Sequence, residues 1–177
     1  VGQALPDVAV QLVDEEGDIV TGEGTPGEIR IQSPTVFLEY WGNAEATEAS
    51  FSDGWFCTGD IAVIEDGYYR IMGRSSVDII KSGGYKLSAL EIENKLLAHP
   101  QIAEVAVVGI ADRTWGEAVA AVVALKGDGD MTLDTLKSWC DGKLSSYKVP
   151  KQLQVLDALP RNAMGKVVKP ALKPLFE

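Results

Sequence analysis

Histidine and cysteine are scarce in this sequence of 177 residues, which holds one histidine, His99, and two cysteines, Cys57 and Cys140. A Ser/His/Asp or Cys/His catalytic arrangement would have to use His99, which we predict to be a solvated residue that complements a helix dipole. The cysteines show neither metal-ligand spacing nor a disulfide framework, so we predict free thiols and a reducing compartment. These absences argue against hydrolases and metalloenzymes, and the sequence predicts no metal ligands.

Positive charge and long apolar runs are also in short supply. The chain carries 16 Lys and Arg against 26 Asp and Glu, a net charge of −10. This excess disfavours non-specific binding to nucleic acid or to an anionic membrane. The longest apolar runs, such as residues 105–108, have the length of a strand and cannot span a membrane. With 46% hydrophobic and 24% charged residues, the composition is that of a globular protein.

The first part of the chain alternates apolar and polar residues with the period of β-strands. The pattern predicts strands at 8–13, 27–31, 61–64 and 68–72, with a short helix at 43–51. Asp66-Gly67 between the last two strands is a strong hairpin signal, because a tight turn needs positive φ. We therefore predict a β-rich piece over residues 1–74.

After Arg74 the pattern becomes mixed. It predicts two short strands joined by a glycine turn at 81–86, and then a helix that Ser88 and Glu91 cap and Pro100 ends. Strands at 105–110, 118–125 and 152–156, a helix at 132–144 and a short final helix from 169 follow. The sequence thus predicts an α+β domain with a short antiparallel hairpin and a central mixed sheet flanked by helices.

Two polar positions bracket the predicted hairpin of the first part. Asp60, in Thr58-Gly59-Asp60, could accept two hydroxyl hydrogen bonds from a ribose. Arg74 could bind ribose or phosphate oxygens as a fork from the adjacent strand end. Each also has a plainer interpretation, a turn cap for Asp60 and a surface ion pair for Arg74.

Two loops of the second part could approach an anionic ligand. Lys81-Ser82-Gly83-Gly84 lacks the spacing of a phosphate loop, but its glycines would let an extended ligand reach the backbone. Lys166 ends the loop 160–166, and we interpret it as a lysine on a mobile loop that could neutralise charge developing on phosphoryl and carboxylate oxygens. A plain hairpin turn and a solvated lysine are the alternatives.

The order and spacing of these motifs closely resemble the adenylate-forming superfamily, which includes acyl-CoA synthetases, and within it the malonyl-CoA synthetases. The resemblance implies that a carboxylate, which we predict to be malonate, attacks the α-phosphate of Mg²⁺-ATP to give an acyl-adenylate. The thiol of CoA then displaces AMP. It implies that residues 1–74 are the C-terminal portion of a large N-terminal adenylation domain, 75–78 a hinge, and 79–177 a mobile C-terminal domain.

The resemblance also implies roles for the motif residues. Asp60 and Arg74 would bind ATP and AMP, and Lys166 would be the adenylation lysine. Residues 81–84 would line the CoA channel. Relatives have an Asp or Lys at the pivot, whereas this chain has Ser76 there, so Ser76 and Val77 are both candidates.

Two motifs of the family are missing from this chain: the Ser/Thr/Gly-rich phosphate loop and the Thr-Glu motif that helps to hold ATP. In relatives both lie upstream, where most Mg²⁺ contacts are also expected, so we predict that this chain alone makes no acyl-adenylate. The compartment that the resemblance implies is the cytoplasm or the mitochondrial matrix. A domain that loads a carrier protein and a non-catalytic docking module remain alternatives.

Overall fold

The computed structural model describes residues 2–127 and 129–177. The chain divides into two compact units between Ser76 and Val77. We call them the N-terminal unit and the C-terminal unit. The division falls inside the predicted hinge at 75–78, and movement about it stays a prediction. None of the described helices is both long enough and apolar enough to cross a membrane.

The N-terminal unit is built on one six-stranded sheet in the order β2-β1-β3-β5-β4, with β6 paired to β5. Every strand pair in it is antiparallel. Asn43 caps the short helix that the structure describes in this unit, accepting a hydrogen bond from the Ala46 N–H at 3.0 Å. The elements are β1 (Ala9–Val13), β2 (Ile19–Val20), β3 (Gly27–Gln32), α1 (Ala44–Ala49), β4 (Phe51–Ser52), β5 (Trp55–Glu65) and β6 (Tyr68–Arg74).

The β5–β6 hairpin forms at the predicted turn. Asp66 and Gly67 have φ of 50° and 75°, the two positive values that a two-residue hairpin turn of this type requires. The hairpin pairs Glu65 with Tyr68 at its tip and Asp60 with Arg74 at its far end. The register thus brings Asp60 opposite Arg74, but only Arg74 lies at a strand end. Asp60 lies inside β5, which begins at Trp55 and not near residue 61 as predicted.

The C-terminal unit has a five-stranded mixed sheet in the order β11-β10-β7-β8, with β9 also paired to β10. Strands β10 and β11 are parallel and the remaining pairs are antiparallel, which confirms the predicted mixed sheet. The elements are β7 (Ile79–Ser82), β8 (Tyr85–Ser88), α2 (Ala89–Leu97), β9 (Ile102–Asp112), β10 (Gly116–Leu125), α3 (Leu133–Cys140) and β11 (Gln152–Val155).

Both faces of this sheet are covered, which explains the unbroken apolar runs of β9 and β10. Val107 and Val119 point to the face packed by α2 and α3, where Ile92, Leu96 and Leu136 are fully buried. Alternate residues of the same strands pack with Leu159 and Leu172 from the C-terminal segment. The C-terminal segment is therefore an integral layer of this unit.

Helix starts follow the sequence signals, but α3 ends at Cys140, before the predicted end at Leu144, and the last helix differs in type. Ser88 accepts the Glu91 N–H at 3.2 Å, as the predicted cap requires. The final helix, Lys169–Phe176, is a 3₁₀-helix and not an α-helix. Pro170 suits its first turn, but Pro174 inside it has no N–H to donate, which disfavours a regular α-helix.

The prediction of a solvated His99 is wrong. His99 follows α2 but is 7% exposed, and its ring lies edge-on to Trp139 with the centroids 4.8 Å apart. Its Nδ1 accepts a hydrogen bond from the Gln101 N–H at 3.2 Å. Burial, and secondarily the Lys143 charge, lower the pKa of His99 below its ordinary value of 6.5. The neutral imidazole is therefore a structural element of this helix end.

The free energy of unfolding of this chain should fall on mild acidification, in part because of His99. Its contribution is fully present above the unfolded-state pKa of 6.5 and is lost as pH falls through the lower pKa of the folded state. In His99→Asn the amide oxygen can still accept the Gln101 N–H but does not titrate. We expect the urea midpoint of His99→Asn to fall less than that of the wild type between pH 7 and pH 5.5. Equal falls would contradict this assignment.

Candidate functional site

The Thr58-Gly59-Asp60 turn is a bulge in β5. Residues 57 and 61 pair with Arg30 and Glu28, so that three residues of β5 lie opposite one residue of β3. Thr58 Oγ1 donates to the Ile29 carbonyl at 2.7 Å and accepts the Asp60 N–H at 3.1 Å. Bulges re-aim side chains at functional sites. Here the bulge sets the direction of the Asp60 carboxylate.

Arg74 fixes that carboxylate from the neighbouring strand. Its Nε lies 3.1 Å from Asp60 Oδ1, and its Nη1 donates to the Thr58 carbonyl at 2.5 Å. A Cβ on Gly59, whose φ is 72°, would meet Arg74 Nη1 at 2.9 Å. The side chains of Arg74 and Asp60 remain 58% and 32% exposed. The ion pair and a ligand-binding role are therefore compatible, since the exposed pair can meet a polar ligand.

The glycine turn joins β7 to β8 with both glycines at positive φ, 58° for Gly83 and 82° for Gly84. Gly83 donates its N–H to the Trp115 carbonyl at 2.9 Å. A Cβ on Gly83 would lie 2.9 Å from the Trp115 ring, whereas one on Gly84 would meet nothing within 4 Å. Glycine is thus favoured at position 83 for two reasons: the turn needs a positive φ there, and the Trp115 ring leaves little room for a side chain.

A cavity of about 200 Å³ opens beside this turn, lined in part by Ser82, Gly83 and Trp115. Tyr85 and Tyr147, also in its lining, stack with their ring centroids 5.1 Å apart and their planes at 14°. Lys81 and Gly84 are not in the lining that the structure describes. Instead, the Lys81 N–H donates to the Glu117 carboxylate at 2.7 Å, which anchors the strand leading into the turn.

Trp115 and Tyr147 are site residues that the sequence prediction missed. Both are exposed aromatic residues in short connections, Trp115 between β9 and β10 and Tyr147 in a 3₁₀ turn. No local spacing links either of them to the glycine turn. Their exposure, 55% and 44%, is the signal that could have marked them, since large exposed aromatics often mark binding surfaces.

Lys166 ends a turn that is closely hydrogen-bonded. Asn162 Oδ1 accepts the N–H groups of Met164 and Lys166, both at 3.0 Å, and the Asn162 N–H donates to the Lys166 carbonyl at 2.9 Å. Arg161 donates to the Gly165 carbonyl at 2.7 Å and pairs with Glu104. The Lys166 side chain is exposed. The interpretation of a mobile loop therefore has no support in these contacts, which hold the turn to the body of the unit.

The Lys166 turn and the glycine turn lie at opposite ends of the β9–β10 hairpin. The first is attached to Glu104, near the start of β9, through Arg161. The second is joined through Ser82 to Gly116, which pairs with Asp112 at the end of β9. Glu104 and Asp112 are eight positions apart in β9, which corresponds to roughly 25 Å of strand. A single orientation of this unit cannot bring both turns to one point.

The residues predicted for the site therefore form three groups. The first is the Asp60–Arg74 pair of the N-terminal unit, and the other two are the separate turns of the C-terminal unit. Ser76 is exposed and Val77 is half-buried at the division between the units. Over residues 2–127 and 129–177, no three His, Cys, Asp or Glu side chains are grouped so that they could hold a metal ion.

Comparison with known proteins finds the same family that the order of the motifs indicated. Residues 91–166 match the AMP-binding enzyme C-terminal domain. The chain is 48% identical over 191 residues to the mitochondrial malonate–CoA ligase of Mus musculus, a match that covers 97% of this chain and 33% of that protein. It is 48% identical over 189 residues to the malonate–CoA ligase of Arabidopsis thaliana, covering 100% of this chain and 30% of that protein.

A solved structure extends the match to the fold. ATP-bound MatB from Rhodopseudomonas palustris superposes with a TM-score of 0.84 at 37% identity, covering 99% of this chain and 35% of that one. This chain thus spans about a third of the length of the relatives it matches. The matches confirm the resemblance seen in the motifs: the chain belongs to the AMP-binding, adenylate-forming enzymes and corresponds to their C-terminal part.

Proposed function

We propose that this chain is the C-terminal part of an AMP-forming acid–CoA ligase, in which the C-terminal unit serves two half-reactions with two different turns. We call the chain joined to the N-terminal part that its relatives possess the full-length ligase. The observation that carries the proposal is the placement of the Lys166 turn and the glycine turn at opposite ends of one hairpin. Such a unit needs two orientations to deliver both turns to one bound adenylate.

In the first half-reaction a carboxylate oxygen of the acid attacks the α-phosphorus of ATP. An acyl–phosphate bond forms, and pyrophosphate leaves with the electrons of the broken bond. The Lys166 ammonium neutralises the charge on the reacting oxygens, while Asp60 accepts hydrogen bonds from the ribose hydroxyls. Arg74 holds Asp60 in place and adds a positive charge beside the nucleotide. We propose that the Mg²⁺ that accompanies ATP is bound mainly by the N-terminal part of the full-length ligase. We assign it no ligand from this chain.

In the second half-reaction the CoA sulfur attacks the acyl carbon of the adenylate, AMP leaves, and the thiol proton passes to solvent. The glycine turn supplies an opening for the narrow pantetheine arm, because Gly83 presents backbone and no side chain at the edge of the cavity. Trp115 and Tyr147 contribute aromatic rings to the cavity wall, and an aromatic wall suits the thin, partly apolar arm. Residues 75–78, with Ser76 or Val77 as pivot, carry the change of orientation.

Malonate is the acid that we propose. The support is the 48% identity to two malonate–CoA ligases, one mitochondrial and one from a plant, which also makes the mitochondrial matrix the compartment we favour. The acyl pocket of such an enzyme would need a cation for the second carboxylate of malonate. That pocket lies outside this chain, so the choice of acid has to be tested on the full-length ligase.

An acid panel tests the proposed function. The full-length ligase should convert malonate, ATP and CoA to malonyl-CoA and AMP, with octanoate and benzoate consumed far more slowly. The 177-residue chain alone should release no AMP. AMP release that requires an acid but no CoA, together with acyl transfer to a carrier protein, would favour the carrier-loading alternative. If no acid caused the release of AMP, the ligase proposal would be refuted and the non-catalytic docking module would remain.

A further inference from the structure

A largely buried group of three charged side chains includes Lys169, which follows Lys166 by three residues. The Lys169 ammonium is 2.5 Å from Asp78 Oδ1 and 2.8 Å from Glu93 Oε1. The three side chains are only 12%, 13% and 15% exposed. By contrast, the Arg161–Glu104 pair that holds the outer side of the turn exposes 45% and 32% of its side chains.

These three residues come from parts of the chain that have different roles. Asp78 is the second residue of the C-terminal unit after the division at Ser76 and Val77, and its carbonyl accepts the Ala89 N–H that begins α2. Glu93 lies on α2 and accepts the Val107 N–H of β9 at 2.7 Å. Lys169 begins the final 3₁₀-helix. The ammonium therefore joins the hinge end of the unit to its C-terminal segment.

Stability alone is a poor explanation for such a group. Burial raises the pKa of Glu93, and the opposing effect of Lys169 does not restore it, so the carboxylate is held at a cost. Replacing a buried ion group with well-packed apolar side chains is often neutral or stabilising. What the charges supply that apolar contacts do not is a penalty for displacement, because moving the ammonium away would leave two largely buried carboxylates without their cation.

The ion group is connected to Lys166 through the base of its turn. Lys169 follows Lys166 by three residues, and between them the Val168 N–H donates to the Pro160 carbonyl at 2.9 Å, closing the base of the turn. Val167 pairs with Arg161 across the same turn. The turn is internally fastened, so its placement depends on where its base is attached. Leu159 and Val167 pack against the core on either side of that base, and the Lys169 ammonium is its charged attachment, to Asp78 and Glu93.

We infer that Lys169 is a positioning residue for adenylation: it ties the base of the Lys166 turn to Asp78, so that rotation at residues 76–77 carries the Lys166 ammonium to a defined point. The inference rests on the proposed function and goes beyond it, since Lys169 itself touches no substrate. It predicts that loss of Lys169 damages the half-reaction that uses Lys166 and spares the one that uses the glycine turn.

The test compares Lys169→Met with Lys173→Met in the full-length ligase. Lys173 lies on the same 3₁₀-helix, but its side chain is 46% exposed and its nearest carboxylate oxygen, on Glu117, is 3.9 Å away. We expect Lys169→Met to lower kcat for malonate-dependent ATP–pyrophosphate exchange at least tenfold, with KM for ATP nearly unchanged. Transfer of the acyl group from supplied malonyl-adenylate to CoA should change less than twofold. Lys173→Met should leave both rates unchanged.

A second measurement does not depend on activity. Hydrogen exchange at the amides of Met164, Lys166 and Val168 should quicken in Lys169→Met and stay as in the wild type in Lys173→Met. If the wild-type ligase forms no adenylate from any acid, the proposed function fails, and the exchange data alone then decide whether Lys169 holds the turn. Equal losses in both half-reactions, or unchanged exchange, would overturn the inference.

Lys169→Met leaves two carboxylates without their shared cation, which could prevent folding. In that case Lys169→Met combined with Glu93→Leu replaces it, because this double variant also removes one of the two carboxylates that the ammonium pairs with. The same selective loss of adenylation and the same faster exchange are expected. Retention of full adenylation in a folded double variant would refute the positioning role.

Discussion

Lys166→Ala in the full-length ligase should lower the adenylation rate roughly a hundred- to a thousandfold, the usual cost of removing one preorganised stabiliser of developing charge. The reason is that no other cation of the same turn can replace the ammonium: Arg161 is held by the Gly165 carbonyl and by Glu104. Transfer from supplied malonyl-adenylate to CoA should remain within about twofold. The two rates are measured separately, by malonate-dependent ATP–pyrophosphate exchange and by release of AMP from the adenylate.

The control for this variant is Met164→Ala in the same turn. Met164 is 81% exposed, and only its backbone N–H enters the Asn162 network. Both half-reactions should therefore survive in Met164→Ala. If Lys166→Ala instead slowed both half-reactions to the same degree, Lys166 would not be specific to adenylation, and the assignment of one turn to each step would fail.

Gly83→Ala should produce the opposite pattern, a loss of about a hundredfold in CoA transfer with adenylation nearly intact. The new Cβ would lie 2.9 Å from the Trp115 ring, so either the ring or the turn must move. A displacement of about 1 Å at a reacting site can cost two orders of magnitude. Positive φ at this position adds about 1–2 kcal/mol of backbone cost. AMP release from supplied malonyl-adenylate, as a function of CoA concentration, measures the effect.

Gly84→Ala separates the collision from the backbone cost. Gly84 also has positive φ, 82°, but a Cβ there would meet nothing within 4 Å. Gly84→Ala should therefore lower the rate of CoA transfer less than tenfold. Its free energy of unfolding should fall about as much as that of Gly83→Ala. Equal losses in Gly83→Ala and Gly84→Ala would show that strain in the turn, and not the approach to Trp115, explains the effect.

Features that depend on neighbours in sequence could be predicted. Positive φ at Asp66-Gly67, the Ser88 cap and the apolar runs of β9 and β10 are each encoded within a few residues. The Asp66-Gly67 turn also predicts the register near the tip of the hairpin, but a bulge between Ile61 and Ala62 that no local signal indicated shifts this register, so that Asp60 pairs with Arg74 and not with Gly73. The family itself was recognisable from the order of four short motifs.

Features that depend on distant residues could not. The contact between Gly83 and Trp115 joins two turns separated by α2 and β9. Lys169 and Asp78 are 91 positions apart, and no local sequence pattern predicts their ion pair. His99 was misjudged for the same reason: a helix end is usually solvated, and only packing against Trp139 from α3 buries it. Long-range packing thus decided the parts of the site that the sequence left open.

The central claim is that the C-terminal unit takes two orientations about residues 75–78, one for each half-reaction. Spin labels at Glu16→Cys in the N-terminal unit and Met164→Cys beside Lys166 measure it directly, in a full-length ligase with Cys57 and Cys140 replaced. We predict one distance with a stable malonyl-adenylate analogue alone and a clearly different one after CoA is added. A single distance in both states would contradict the account.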